Sequence, residues 1–313
     1  MAKGKVVAIK KECPATWEEA LRQFLWWKQE GVSKRTVEDY KLHVTMFFKR
    51  YPAVYAEKGS LKKAVFEYMG QQIKPATYNM RLIYLRAFFG WCLKEAVVTE
   101  NPFNELKKRR DEGRVVNIDC DILKKLLSAP EAKTFAGLRD YALLLLTLDT
   151  GIRPKEAFSL LPDDVNLRSL DVYVRSEVAK TRVSRALPIS LIAAQKISDV
   201  IQARHKAWSK DTPIFCTTEG QSMTRWTWEE RLKLYSGRIG FKIKPYDLRH
   251  AFALQFLRNG GNALALQRIL GHSDLTMTRR YVALTQDDLK EQHALASPLN
   301  VLVPQRHRVR KGI

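Results

Sequence analysis

Leu270-Gly271-His272-Ser273-Asp274-Leu275-Thr276-Met277-Thr278-Arg279-Arg280-Tyr281 has the form of a helix end, a turn and a new helix start. A glycine directly after an apolar helical run supplies the left-handed backbone on which helices commonly stop. Ser273 or Asp274 is then available as the next N-cap, its side-chain oxygen accepting an amide of the new first turn. Tyr281 follows His272 by nine residues. One tyrosine among eleven, or a lone histidine near a helix end, is ordinarily structural, so the segment gains weight only from its company.

That company lies upstream. Thr150-Gly151-Ile152-Arg153-Pro154-Lys155-Glu156 follows the apolar run Tyr141 to Leu148. Gly151 ends one helix and Pro154 opens the next, which sets Arg153 at a helix N-terminus where amides and a guanidinium can receive an oxyanion. In Tyr246-Asp247-Leu248-Arg249-His250-Ala251-Phe252, the apolar Leu248 and Phe252 face a core and bring Arg249 to the adjacent side. Between these segments the hydrophobic period changes to two, in Leu170-Asp171-Val172-Tyr173-Val174 and again in Ser184-Arg185-Ala186-Leu187-Pro188-Ile189, which predicts two strands flanking a turn that contains Lys180. Arg182 and Arg185 crowd the same hairpin and offer an alternative source of positive charge. Arg, Lys, Arg, His and Tyr thus appear in a fixed order.

Composition narrows what such a set can act on. The chain has 313 residues with 54 Lys plus Arg against 33 Asp plus Glu, a net charge of +21, and is 45% hydrophobic, as a packed globular protein is. The basic residues are spread along the whole chain. A membrane-surface protein usually concentrates them on one amphipathic helix, whereas a long polyanion suits a distributed excess because each neutralised phosphate releases counterions. No stretch reaches the roughly 18 consecutive apolar residues of a membrane span, and the basic start has no apolar export segment, so a cytoplasmic, nucleoid-associated location is expected. Cys13, Cys92, Cys120 and Cys216 form no C-x-x-C pair, and the six histidines offer no H-x-x-x-H spacing, so neither a zinc cluster nor a disulfide framework is indicated.

The length suggests two domains at about 150 residues each. Residues 14–106 read as a helical bundle: Val37, Tyr40, Val44, Phe47 and Phe48 define one stripe, and Tyr78, Leu82, Leu85, Phe89 and Cys92 another. Thr36 with Asp39 has the form of a capping box, and Pro75 suits a helix entry. Lys34, Arg35, Lys41, Lys49, Arg50, Arg81 and Arg86 fall on the opposite faces, where they would meet phosphates as an ensemble while most are individually ordinary surface charges. Lys107 to Arg114 is polar and basic, placing a linker at 107–116. A helix-rich segment with the strand pair follows over 117–299. Basic tails occupy 1–13 and 300–313. The fold class expected is mainly α with a small antiparallel β-sheet.

With Gly151-x-Arg153-x-x-Glu156, Lys180 in a strand-turn-strand, Leu248-Arg249-His250, and Leu270-Gly271-His272 with Tyr281, the sequence resembles the tyrosine recombinases, the phage integrase-like site-specific DNA recombinases. The likeness covers about 117–299 directly, and the preceding helices look like that family's core-binding domain. It implies that Tyr281 is a nucleophile forming a 3'-phosphotyrosyl bond, which stores the energy of the broken strand so that neither ATP nor a metal is needed. It further implies that Arg153 and Arg249 clamp the phosphate, that Lys180 protonates the departing 5' oxygen, that His272 hydrogen-bonds the phosphate or nucleophile, and that Glu156 braces the arginine site. The family usually has His three residues before the second Arg, where this chain has Tyr246. A phenol is a poor base at neutral pH, so Tyr246 is expected to donate to the phosphate while the nucleophile loses its proton to water or His272. The partners implied are double-stranded DNA, further copies of the chain in a homotetramer docked through a C-terminal helix within Thr285 to Leu299, and accessory DNA-bending or directionality factors. A regulator with a degenerate site and a type IB topoisomerase are the competing readings.

Overall fold

A computed structural model of the chain describes residues 14–55, 57–111, 116–272, 274–282, 293–294 and 296–303. It divides into two compact units, Met1–Gly113 and Arg114–Ile313.

The first unit is built on helices α1 (Trp17–Lys28), α2 (Lys34–Arg50), α3 (Leu61–Met69) and α4 (Pro75–Lys94). Their buried sides are dominated by rings: Phe24, Tyr40, Phe47, Phe48, Tyr68, Phe88 and Phe89 lie in one core with Leu82 and Leu85. Phe24 meets Tyr40 and Phe88 edge-on at centroid separations of 5.1 and 5.4 Å, the geometry that ring quadrupoles favour. Pro75 occupies the first turn of α4, where its missing amide hydrogen costs nothing.

Three local expectations change. The cap of α2 is Ser33, whose hydroxyl accepts from the Thr36 amide, because the helix begins one turn before the Thr36–Asp39 pair. Arg81 and Arg86 do not face outward. Arg81 donates to Tyr68 O and Gln71 Oε1, and Arg86 to Phe103 O and Leu106 O, so both tie the chain to α4. The start of the linker is anchored too, since Arg109 exchanges backbone bonds with the Asn79 side chain and lays its guanidinium 3.9 Å from the Tyr78 ring centroid. Lys34, Arg35, Lys41, Lys49 and Arg50 are exposed.

The second unit contains α5 (Cys120–Ser128), α6 (Phe135–Thr150), α7 (Pro154–Ala157), strands β1 (Val165–Asn166), β2 (Asp171–Val174) and β3 (Arg185–Pro188), then α8 (Leu191–Gln202), α9 (Arg225–Ile239), α10 (Pro245–Arg258), α11 (Ala263–Leu270) and α12 (Thr276–Val282). The architecture is mainly helical with one three-stranded antiparallel sheet, β1-β2-β3, in which Val172 faces Leu187. β1, two residues long, was too short to show a period in the sequence. Among the described residues no helix is long and apolar enough to cross a membrane. The proposed cap Ser273, most of the segment Thr285 to Leu299, and both basic tails except residues 300–303 lie outside the described residues.

α6 is the axis of this unit, packed by α8 and α10. Its Asp140 is fully buried and accepts from Arg139, from Arg231 Nε at 2.5 Å and from Tyr235 Oη at 2.6 Å, so the carboxylate is paired on every side that burial denies to water. Gly151 ends the helix at φ 61°. A side chain there would suffer twice, because its Cβ would fall 2.4 Å from Phe252 Cδ1 and 2.7 Å from Leu270 Cδ2. Left-handed backbone strain plus overpacking makes Gly151→Ala destabilising by about 2–5 kcal/mol. Urea denaturation measures this, and an unchanged midpoint contradicts the account.

Candidate active site

Three arginines converge on the C-terminus of α11. Arg185 Nε donates to Ile269 O at 3.1 Å, Arg249 Nη2 to Leu270 O at 2.8 Å, and Arg153 Nη2 to Gly271 O at 3.1 Å. The last carbonyls of a helix have no partners within it and carry the negative end of its dipole, so consecutive carbonyls receive three cations in turn. Gly271, at φ 61°, ends α11 so that its own carbonyl joins the row. Gly151 contributes a further acceptor, since Arg249 Nη1 donates to its carbonyl at 2.5 Å.

One carboxylate sits among them. Glu156, 1% exposed, accepts from Arg153 Nη1 at 3.0 Å and from Arg185 Nη2 at 2.6 Å and Nη1 at 3.3 Å, and a further bond, from the Arg153 amide, closes the first turn of α7. Burial would raise its pKa, but the bonds and charge of Arg185, then Arg153, outweigh that and hold it below the usual carboxylate range. Burial, then the charge of Arg153, lowers Arg249 to about 10, which still leaves it charged at neutral pH. Three guanidiniums against one carboxylate leave an excess positive charge in a largely enclosed place. Each guanidinium has five N–H donors. Among the described residues, Arg153 uses two of these and Arg249 three, so both retain donors for an anionic ligand.

His272 is fixed by two bonds. Its Nε2 meets Arg249 Nη2 at 3.2 Å and its Nδ1 meets Thr278 Oγ1 at 3.0 Å. A guanidinium can only donate, so Nε2 accepts, the ring is neutral, and Nδ1 carries the hydrogen toward Thr278. Burial first, then the charges of Arg249 and Arg153, lowers its pKa to about 4.

Tyr281 lies on α12, 4% exposed, in a small apolar cluster with Phe252, Leu254, Leu266 and Leu270. Its hydroxyl contacts neither Arg153 nor His272 in this arrangement. It pairs with His250 Nδ1 at 2.7 Å. Burial raises the phenol's pKa against the opposing pull of Arg249 and Arg280, so it is protonated at neutral pH. Lys180 is exposed in the β2–β3 turn and, among the described residues, makes no hydrogen bond or ion pair. Tyr246, in the first turn of α10, is 43% exposed, with the Arg225 guanidinium 5.9 Å from its ring centroid. The structure thus brings Arg153, Glu156, Arg249 and His272 into one bonded group, places Tyr281 beside it through His250, and leaves Lys180 and Tyr246 outside. The sequence offers Arg185 only as an alternative to Lys180 and His250 only as the neighbour of Arg249, whereas in the fold Arg185 binds Glu156 and His250 meets Tyr281.

Fold and site together define an α+β domain with a cluster of three guanidiniums and an adjacent buried tyrosine. Residues 117–287 match the model of the phage integrase family. The tyrosine recombinase XerD of Vibrio cholerae is 30% identical over 287 residues, covering 87% of this chain and 94% of the relative. XerD of Ralstonia nicotianae is 26% identical, covering 91% of this chain and 96% of the relative. Among solved structures, XerH bound to palindromic difH substrate in a post-cleavage complex matches with a TM-score of 0.71 at 16% identity, covering 90% of this chain and 95% of that one. The Tn1549 transposon integrase in complex with a circular intermediate DNA matches with a TM-score of 0.68 at 18% identity, covering 88% and 99%. The chain belongs to the phage integrase family and is a tyrosine-type site-specific DNA recombinase.

The depressed pKa of His272 has a measurable consequence. Its ring is neutral in the fold down to about pH 4 but takes a proton near 6.5 when unfolded, so its contribution to stability is complete above 6.5 and lost as the pH falls toward 4. The drop in unfolding free energy between pH 7 and pH 4.5 is therefore smaller in His272→Gln than in wild type. Equal drops in urea titrations would contradict the neutral, buried ring.

Proposed function

We propose that the 117–299 unit cleaves one DNA strand at a time by transesterification, with Tyr281 as nucleophile, Arg153 and Arg249 as the clamp on the non-bridging oxygens, and Lys180 as the acid for the 5' oxygen. The observation that supports this best is the excess positive charge of the arginine cluster beside a buried tyrosine. Bidentate guanidiniums held in advance suit a pentavalent phosphorus, whose equatorial charge they meet without reorganising. Glu156 then acts on Arg153 and Arg185 and not on the substrate. His272 holds Arg249 in plane and turns toward the phosphate when DNA arrives. Lys180, exposed on its turn, is in a position to be drawn in by a bound strand. Tyr246 presents an accessible hydroxyl one turn before Arg249 and donates to the same phosphate.

The double-stranded DNA partner follows from the family and from relatives solved on DNA, and the exposed Lys34, Arg35, Lys41, Lys49 and Arg50 of the helical unit at 14–106 supply non-specific phosphate contacts. Binding should therefore weaken steeply with salt. Four copies on two paired sites would exchange strands. The exposed Leu299, Val301 and Leu302 supply an apolar run for a neighbouring copy. A protein that acts on cellular DNA would work in the cytoplasm, with the nucleoid.

A nicked suicide duplex carrying the sequence that the protein selects from a randomised pool tests the assignment. Wild type forms a detergent-stable covalent adduct. Tyr281→Phe forms none while still binding, and Arg249→Ala falls by about 10²-fold or more. An adduct that persists in Tyr281→Phe removes the nucleophile assignment. Two-site product formation separates recombination from simple relaxation. On the same substrate Tyr246→Phe cleaves about 10- to 100-fold more slowly, as the loss of one transition-state donor would give; a wild-type rate contradicts its contact with phosphate.

A further inference from the structure

The proton on Tyr281 must leave as its oxygen attacks phosphorus, and the position expected to carry an imidazole for this purpose holds Tyr246. His272 does not meet the phenol: its Nε2 accepts from Arg249 and its Nδ1 donates to Thr278. The imidazole that touches the phenol is that of His250, with Nδ1 2.7 Å from the Tyr281 hydroxyl. Tyr246 and His250, four residues apart, are separated by about one helical turn on α10 and fall on the same side of it.

We propose that His250 is the general base for Tyr281, replacing from one turn further along the helix the imidazole that position 246 lacks. The inference rests on Tyr281 being the nucleophile. With hydrogen on Nε2, the Nδ1 lone pair of a neutral ring accepts the phenol hydrogen in the resting state. During cleavage the Tyr281 oxygen forms its bond to phosphorus as its proton passes to Nδ1. The bond from phosphorus to the 5' oxygen breaks, and that oxygen takes a proton from Lys180. Rejoining runs in reverse: the 5' hydroxyl attacks, Tyr281 leaves, and the imidazolium returns its proton.

The surroundings keep this ring in its accepting form. Burial, foremost, then the charges of Arg249 on its own helix and Arg280 on α12, lowers the pKa of His250, against the opposing pull of Asp247 at the start of α10. Of the other elements packed on α10, the neutral phenol of Tyr281 on α12 contacts the ring directly, whereas the charges on α6, α9 and α11 are not among those that shift it. A neutral base at neutral pH facing a protonated phenol is the pairing that proton abstraction requires.

The test uses the full chain on the nicked suicide duplex described above. His250→Asn puts an amide oxygen near the position of Nδ1, keeping a hydrogen-bond acceptor that takes no proton at neutral pH. It should bind the duplex as wild type does and cleave about 10²- to 10⁴-fold more slowly, with the rising limb of its pH profile displaced to the alkaline range where the phenol ionises unaided. Replacing Tyr281 by 3,5-difluorotyrosine, a more acidic phenol, in the same variant should restore at least tenfold of the rate near neutral pH. If His250→Asn destabilises the domain, His250→Gln carries the same two readouts. Cleavage at or above the wild-type rate, or a slow variant that the acidic phenol does not rescue, overturns the proposal; a faster variant would make the contact a restraint on Tyr281. Failure of wild type itself to form an adduct removes the nucleophile reading and this inference with it. A wild-type adduct with His250→Asn unaffected removes the inference alone.

Discussion

The carbonyl row at the end of α11 is what makes an arginine cluster possible in this fold. Guanidiniums brought together in a partly buried place repel one another and lose hydration, and one carboxylate cannot offset three of them. Ile269, Leu270 and Gly271 supply the remainder with backbone oxygens that a helix end leaves unpaired, and Gly151 adds another from the end of α6. Both helix ends are left-handed glycines, at 61° each. The chain stops two helices in a way that turns their last oxygens toward one point, so side-chain positions at 153, 185 and 249, far apart in sequence, become a single rigid donor array.

Rigidity here has a chemical value. A phosphate arriving at flexible cations in water must order them and strip their hydration, whereas donors already held by protein acceptors have met that cost during folding. Glu156 contributes by bridging Arg153 and Arg185 with one buried carboxylate, and a neutral His272 restrains Arg249 without adding charge. The cluster is therefore both strained toward an anion by its surplus charge and fixed in the geometry in which an anion would find it.

What could be read beforehand was whatever is local. Gly151 and Gly271 mark helix ends because only the residue itself and its flanking apolar run are needed to see them, and the ring-rich stripes of α2 and α4 follow from spacing within one helix. The hairpin announced itself by a change of period, although β1 was too short to do so. What stayed hidden depended on the path of other segments. Arg81 and Arg86 look like surface charges until residues 68–71 and 103–106 are seen to return to α4 and offer carbonyls. Arg185 resembles one more basic residue in a hairpin until Glu156 appears beside it. His250 belongs to the Leu248-Arg249-His250 motif, but its contact carries no signal, because its partner stands 31 residues away on a helix whose docking against α10 no periodicity encodes.

The two halves of the site answer opposite electrostatic demands, and α10 carries both. Arg249 points into the charged cluster, whereas the next residue, His250, meets a phenol embedded among Phe252, Leu254 and Leu270. An apolar setting keeps Tyr281 protonated and unreactive, since ionising it there without compensation would be costly. In the proposed reaction the guanidinium array beside it is the compensation, and it would act fully only when phosphate and phenol oxygen share the same space. With Tyr281 as the proposed nucleophile, reactivity would be linked to occupancy: without a bound phosphodiester the phenol stays neutral against His250, and with one the developing negative charge would fall where surplus positive charge already stands.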